Sequence, residues 1–248
     1  MKDKDFCLYF KDEIYFNERN FMEGSLIRTE ALFGKKNMDI LFNSHIAIFG
    51  VGGVGSYVVE SLVRTGIGKI TMIDFDKVDI SNINRQLPSL ISTVGKYKCD
   101  VMRERMLDIR DDITVKIFNL KYTKESNSVL NFTDFDYVVD CIDTVKSKTD
   151  LILTCKSLNI PIISSMGMAN KLDPSKITEA DIYKTHTCPL ARIIRREMRL
   201  NNISSLDTVY SPEEPIKCSD NMKGSLAYVT GSAGFLISSI VIKNLITH

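Results

Sequence analysis

The 248-residue chain has no tryptophan, three histidines, six prolines and almost no net charge, +1 from 32 Lys+Arg against 31 Asp+Glu. Charge that near balance excludes attraction of nucleic acid by the whole molecular field, so any basic contact surface must be a local patch. His45, His186 and His248 are too scattered to argue a metal site or a general base and read as neutral residues. The six cysteines, Cys7, Cys99, Cys141, Cys155, Cys188 and Cys218, form no C-x-x-C pair, the spacing by which one turn offers two thiolates to zinc; no structural zinc is expected. Met1 to Asp5 lack the apolar segment of a secretory signal, which points to the reducing cytoplasm and to free thiols. An unbroken membrane-length apolar run is missing too. Leu226 to Ile246 is the most apolar stretch, but Ser232, Ser238, Ser239 and Lys243 interrupt it, so a buried or dimer-facing C-terminal helix is expected and no membrane contact. Neither internal repeats nor low-complexity tracts are visible, and the loop holding Pro212 and Pro215 is the one proline-rich link.

What is present is globular material, 44% hydrophobic and 25% charged, which can bury a core. Residues 46 to 50 make a short apolar run ending in glycine, and Val54, Val58, Leu62 and Val63 then recur at helical spacing. Lys69 to Asp74 reads as the next strand, completing a βαβ unit. The alternation continues with a helix near 95 to 108, strands Ile113 to Phe118 and Tyr137 to Cys141, a helix over 144 to 157 and a strand over Ile160 to Ser164. This pattern predicts an α/β fold with a Rossmann-like, doubly wound and mostly parallel sheet, an N-terminal helical arm and a C-terminal extension. One domain is expected, with a nucleotide-binding core over about 45–165 and a substrate or dimer segment over about 166–248. Its ligand crevice should lie at the carboxyl ends of the strands, near Gly50, Asp74 and Asp140.

Gly50, Gly52, Gly53 and Gly55 stand between strand and helix, where a backbone free of side chains lets phosphate oxygens reach N–H groups and the positive end of the helix. Asp74 follows the second strand, where an acid takes ribose hydroxyls. On these two features alone an NAD-dependent oxidoreductase is favoured over an ATP enzyme. Beyond them lies a polar loop, Asp74-Phe75-Asp76-Lys77-Val78-Asp79-Ile80-Ser81-Asn82-Ile83-Asn84-Arg85-Gln86, and then Val94-Gly95-Lys96-Tyr97-Lys98, which a dinucleotide site does not need.

The glycine loop, the D-x-D-x-V-x-x-S-N-x-N-R-Q segment and V-G-x-x-K together resemble the ubiquitin-activating, ThiF and MoeB superfamily of adenylyltransferases. The resemblance implies that Gly53 contacts ATP, Asp74 holds the ribose, and Asn82, Arg85 and Lys98 surround the triphosphate, with Asp76 and Thr144 completing the ATP set. It makes Arg85 and Lys98 catalytic, since positioned cations offset the charge built on the α-phosphate and departing pyrophosphate. Standing alone, either residue would read as a solvated surface cation. Asp143 becomes the carboxylate beside magnesium; its bland alternative is a helix N-cap. Arg28, in Arg28-Thr29-Glu30, becomes a residue reaching across a homodimer into the neighbour's ATP site, or else an ordinary helix-surface arginine paired with Glu30.

Asp181-Ile182-Tyr183-Lys184-Thr185, Pro189-Leu190-Ala191-Arg192, Val209-Tyr210-Ser211 and Lys223-Gly224-Ser225 further resemble the C-terminal segments of the tRNA threonylcarbamoyladenosine dehydratase family. That resemblance implies an enzyme that activates a carboxylate on tRNA as an acyl-adenylate using ATP and Mg²⁺, after which internal attack expels AMP. Proximity makes a covalent relay unnecessary. Cys188 departs from the Asp expected there, so no acidic role is carried over to it. A monovalent cation and a sulfur-transfer protein partner stay open, as do activation of a sulfur-carrier or ubiquitin-like protein and a non-catalytic nucleotide-binding module. Finally, Arg192, Arg195, Arg196 and Arg199 share one helical face opposite Leu190, Ile193, Ile194 and Met198, which suits a tRNA backbone or simply solvent.

Overall fold

The computed structural model describes residues 24–218 and 223–247. Met1 to Asp5, Cys7 and His248 lie outside the described residues. A seven-stranded sheet runs in the order β3-β2-β1-β4-β5-β7-β6, from β1 (His45–Phe49), β2 (Lys69–Ile73), β3 (Thr114–Phe118), β4 (Tyr137–Asp140), β5 (Ile162–Ser165), β6 (Thr178–Asp181) and β7 (Asp207–Tyr210). All neighbouring pairs are parallel except β6 with β7. Every residue of β1 and β4 is buried, as strands covered on both faces must be. The expected parallel core is therefore present, with β4 ending at Asp140 and β5 starting at Ile162, inside the predicted limits. The β7–β6 pair was not foreseen: β7 joins the parallel sheet and β6 closes its edge.

The helices are α1 (Ile27–Asn43), α2 (Gly55–Thr65), α3 (Lys98–Ile109), α4 (Val145–Ser157), α5 (Pro189–Leu200) and α6 (Ala227–Thr247). α1 is bent at Gly34, whose φ of 74° breaks the helical ladder, and Met38 and Leu41 bury its later half. Gly66 ends α2 at φ 108° in the left-handed region. Arg110 then locks this corner, donating to Val63 O at 3.1 Å and Ile67 O at 3.2 Å while pairing with Asp112.

α6 is the one described helix long and apolar enough to cross a membrane, and 56% of its most apolar window is buried within the fold. Val229, Ala233, Ile237 and Val241 are wholly buried, and burying such aliphatic side chains contributes about 1.5–3 kcal/mol for each of the larger ones. Close approach to α2 requires glycine: a Cβ on Gly234 would stand 2.7 Å from Val54 O and from Tyr57 Cβ. The C-terminal helix thus reads as the expected core element, and its first turn reaches the glycine loop, where a Cβ on Gly53 would stand 3.2 Å from Thr230 Cγ2.

Candidate nucleotide site

A cavity of about 510 Å³ opens where β1, β2, β4 and β5 end, the crevice a doubly wound sheet provides and a size suited to a small-molecule ligand. Its walls are the glycine loop (Gly50, Gly52, Gly53), Asp74 to Asp76, Arg85 and Gln86, Lys98, Leu120 to Tyr122, Cys141 to Thr144, Ser165 to Lys171, Cys188 to Leu190, Lys223 and Ser225.

The loop is glycine for two local reasons. Gly50 sits at φ 88°, and a Cβ there would meet Cys141 O at 2.8 Å; a Cβ on Gly55 would collide with Gly50 O. Gly55 opens α2 and does not itself line the cavity, but it sets the helix end that faces it.

Asp74 is buried, and its two oxygens accept N–H groups from Val51 at 2.6 Å and Asp76 at 2.8 Å. The carboxylate therefore braces the glycine loop as well as facing the cavity. Burial pushes its pKa up, opposed by those two hydrogen bonds and by Lys98. Lys98, almost fully buried, pairs with Asp76 at 2.7 Å. Arg85 is half-buried and spends Nη1 on Ser81 O at 2.8 Å and Asn84 Oδ1 at 2.9 Å, which aims the guanidinium while Nε and Nη2 keep no partner among the described residues. Both expected cations reach the cavity, and neither is a loose surface charge.

Asn82 and Arg28, like Gly55, do not line it, and neither do the four arginines of α5. Asn82 turns its Oδ1 to the N–H of Asp79, closing a capping box on the short helix Ile80–Asn82. Arg28 lies exposed on α1, unpaired with Glu30. The arginine face of α5 divides: Arg192 and Arg196 are exposed and Arg199 lies over the Tyr183 ring at 5.5 Å. Arg195 instead turns inward to the carbonyl and hydroxyl of Thr185, because it is the member of the set nearest the buried side. That side is Ala191, Ile194 and Met198; Ile193, expected there, is 41% exposed.

Asp143 is exposed at the cavity wall and bonds only Thr144 Oγ1, at 3.3 Å. Thr144, not Asp143, is the N-cap residue of α4, and it makes no side-chain cap bond, so the carboxylate of Asp143 is not spent on the helix. A carboxylate is the hard-oxygen donor that magnesium takes, often with only one or two such groups from protein. Asp140 serves below the floor instead. It is wholly buried, paired with the wholly buried Lys148 at 2.6 Å, and further bonded by Ser164 Oγ and by the N–H of Ile142.

Several lining groups were not singled out from the sequence. Gln86 is buried with an unpartnered Oε1; Phe75 and Lys121 form a cation–ring pair at 5.7 Å; Lys171 is buried among backbone carbonyls. Lys171 carries a signal that could have found it, since it follows the fifth strand at its carboxyl end. The cavity thiol of Cys141 is pushed up to about 12 by burial and by Asp140, so it stays protonated.

The ThiF family model matches residues 26–248. A tRNA threonylcarbamoyladenosine dehydratase of Bacillus subtilis is 38% identical over 237 residues, covering 88% of this chain and 93% of that protein. One of Haemophilus influenzae is 37% identical, covering 87% and 90%. The crystal structure of the E. coli tRNA N6-threonylcarbamoyladenosine dehydratase in complex with ATP superposes with a TM-score of 0.86 at 32% identity, over 91% of this chain and 95% of that one.

Proposed function

The chain belongs to the ThiF family, and from that premise we propose that it is an ATP-dependent tRNA threonylcarbamoyladenosine dehydratase. The threonyl carboxylate attacks the α-phosphate of ATP and releases pyrophosphate; a nitrogen of the same modified nucleoside then attacks the acyl-adenylate, closes a ring and expels AMP, with net loss of one water. What carries this reading is likeness to dehydratases along nearly their whole length, in a chain whose glycine loop, Asp74, Arg85 and Lys98 share one cavity.

Glycine N–H groups and the α2 terminus take phosphate, Asp74 takes the ribose, and Arg85 and Lys98 balance charge on the phosphates as the P–O bond breaks. Asp76 holds Lys98 in position. Asp143, with Thr144 beside it on the cavity wall, would hold magnesium, and that ion would supply charge neutralisation on the phosphates. Arg28, exposed and off the cavity of its own chain, acts in a second copy, making the working unit a homodimer. Arg192 and Arg196 bind the tRNA backbone: α5 starts at the cavity lip with Cys188 to Leu190, so its exposed cations lead away from the site.

The test is to incubate the protein with ATP, Mg²⁺ and tRNA bearing threonylcarbamoyladenosine, digest gently and weigh the nucleoside. Loss of one water, slowed about 10²–10³-fold by Arg85→Ala, is expected. An unchanged nucleoside together with normal ATP binding would point to adenylation of a protein tail instead.

A further inference from the structure

We propose that Lys171 is the base that takes the proton from the attacking nitrogen when the ring closes, an inference that rests on the dehydratase reading. Lys171 follows β5, which lies two strands from β1 in the sheet, a strand-to-strand separation of about 10 Å at ordinary spacing. It lines the same cavity as Asp74 and the glycine loop, on the other side of β1 from Asp74.

Its surroundings suit a neutral amine. The side chain is 2% exposed, and Nζ donates to Ser211 O at 3.4 Å and to Glu213 O. A neutral amine has two hydrogens and one lone pair, so these two carbonyls use both hydrogens and leave the lone pair free; an ammonium would carry a third hydrogen with no protein acceptor among the described residues. The charged or titratable groups facing it are Glu213, Glu214 and Cys188, all of which favour the ammonium, but burial outweighs them and holds Lys171 below the usual lysine range. The carboxylate of Glu213 is itself turned to the N–H groups of Leu172 and Asp173, at 3.1 and 3.0 Å.

Five other lining groups are committed or unsuited. Arg85 and Lys98 serve phosphates in the proposed reaction, Asp74 is bonded twice, and Tyr122 and Cys141 are each pushed up to about 12 by burial. In the step, the nitrogen bonds to the threonyl carbonyl carbon and the carbon–oxygen bond to AMP breaks with its electron pair on AMP. The nitrogen's proton passes to Nζ, and the ammonium returns it to water as product leaves.

Single-turnover reactions of Lys171→Arg and Lys171→Met with ATP and modified tRNA test this. Arginine keeps donors for both carbonyls but cannot give up its proton. Both variants are expected to release pyrophosphate while water loss slows about 10²–10⁴-fold, and the wild-type ring-closure rate should rise with pH to a plateau that neither variant shows. Ring closure in Lys171→Arg within about threefold of wild type, or with the wild-type pH profile, overturns the proposal. Should both variants fail to fold, a wild-type ring-closure rate that does not fall at any point as pH is lowered overturns it equally. Failure of the dehydratase reading would show separately, as no loss of water by the wild type.

Discussion

Replacing Asp74 by asparagine separates its two tasks. Both carboxylate oxygens accept a backbone N–H, from Val51 and from Asp76. An amide has one acceptor oxygen, so in either orientation its NH₂ group faces one of those donors and leaves it unsatisfied. An orphaned buried donor costs about 1–3 kcal/mol, which at about 2–4 °C per kcal/mol lowers the melting temperature by roughly 2–12 °C. The nucleotide feels a second loss, because a ribose hydroxyl bonded to a charged acceptor is worth about 1.5–3 kcal/mol, or about 10–150-fold in affinity. Calorimetric titration with ATP and a melt without ligand measure the two effects independently. A 2′,3′-dideoxy analogue of ATP adds the decisive comparison: lacking the ribose donors, it should bind variant and wild type almost equally. If Asp74→Asn melts lower but holds ATP within about twofold of wild type, Asp74 only braces the loop and the ribose assignment is wrong.

The pair Asp140–Lys148 is wholly buried with every polar partner supplied, so Lys148→Met, which strands the carboxylate, should cost about 3–5 kcal/mol in urea unfolding. Asp140→Leu combined with Lys148→Met should recover most of that, and a double variant no better than the single would refute the account. His45 donates to or accepts from Thr71 Oγ1 at 2.8 Å, and burial first, then Lys116, lowers its pKa from the ordinary 6.5. The folded state therefore binds this proton less readily than the unfolded chain, so the stability it confers is present above pH 6.5 and is lost as pH falls through the lower folded value. His45→Gln should flatten urea unfolding curves compared across that window; an unchanged slope would remove His45 as the cause. Reversing Arg192 and Arg196 to glutamate should weaken tRNA binding and reduce its salt dependence by about two counterions with ATP binding unchanged, whereas equal tRNA affinity would return this face to plain solvation.

The parallel core was legible because each of its elements has its own local signature. Buried strands read as apolar runs, the glycine loop follows β1 directly, and helix spacing shows from Val54 to Val63. β6 and β7 were not: β6 has no buried residue and offers no apolar run, and β7, Asp-Thr-Val-Tyr, has a single aliphatic side chain. Among the candidate site residues, those where residue type and motif coincide, Asp74, Arg85, Lys98 and Asp143, all line the cavity. Asn82 and Arg195 do not line it, and their side chains satisfy nearby backbone groups. A local hydrogen bond of that kind depends on the turn the chain takes, not on the identity of the residue.

The two ends of the cavity are also mechanically joined, through groups that no motif marks. Asn170 adopts φ 60°, a left-handed conformation that asparagine tolerates better than most residues. Its N–H donates to Gly224 O at 2.8 Å, its carbonyl accepts from Ile216 N at 2.9 Å, and its Oδ1 accepts from Gly224 N at 2.6 Å. The neighbouring Lys171 takes its carbonyls from Ser211 and Glu213, so both sides of the chain after β7 are gathered onto the lip of β5. Asn84, adjacent to Arg85 and bonded to it, donates to Ser225 O at 2.8 Å. A continuous hydrogen-bonded path therefore runs from the loop carrying Arg85, through Ser225 and Gly224, to the residue beside Lys171. Moving either end in isolation breaks at least one bond in a partly buried backbone network. The geometry of Arg85 and that of Lys171 are thus set by the same few contacts.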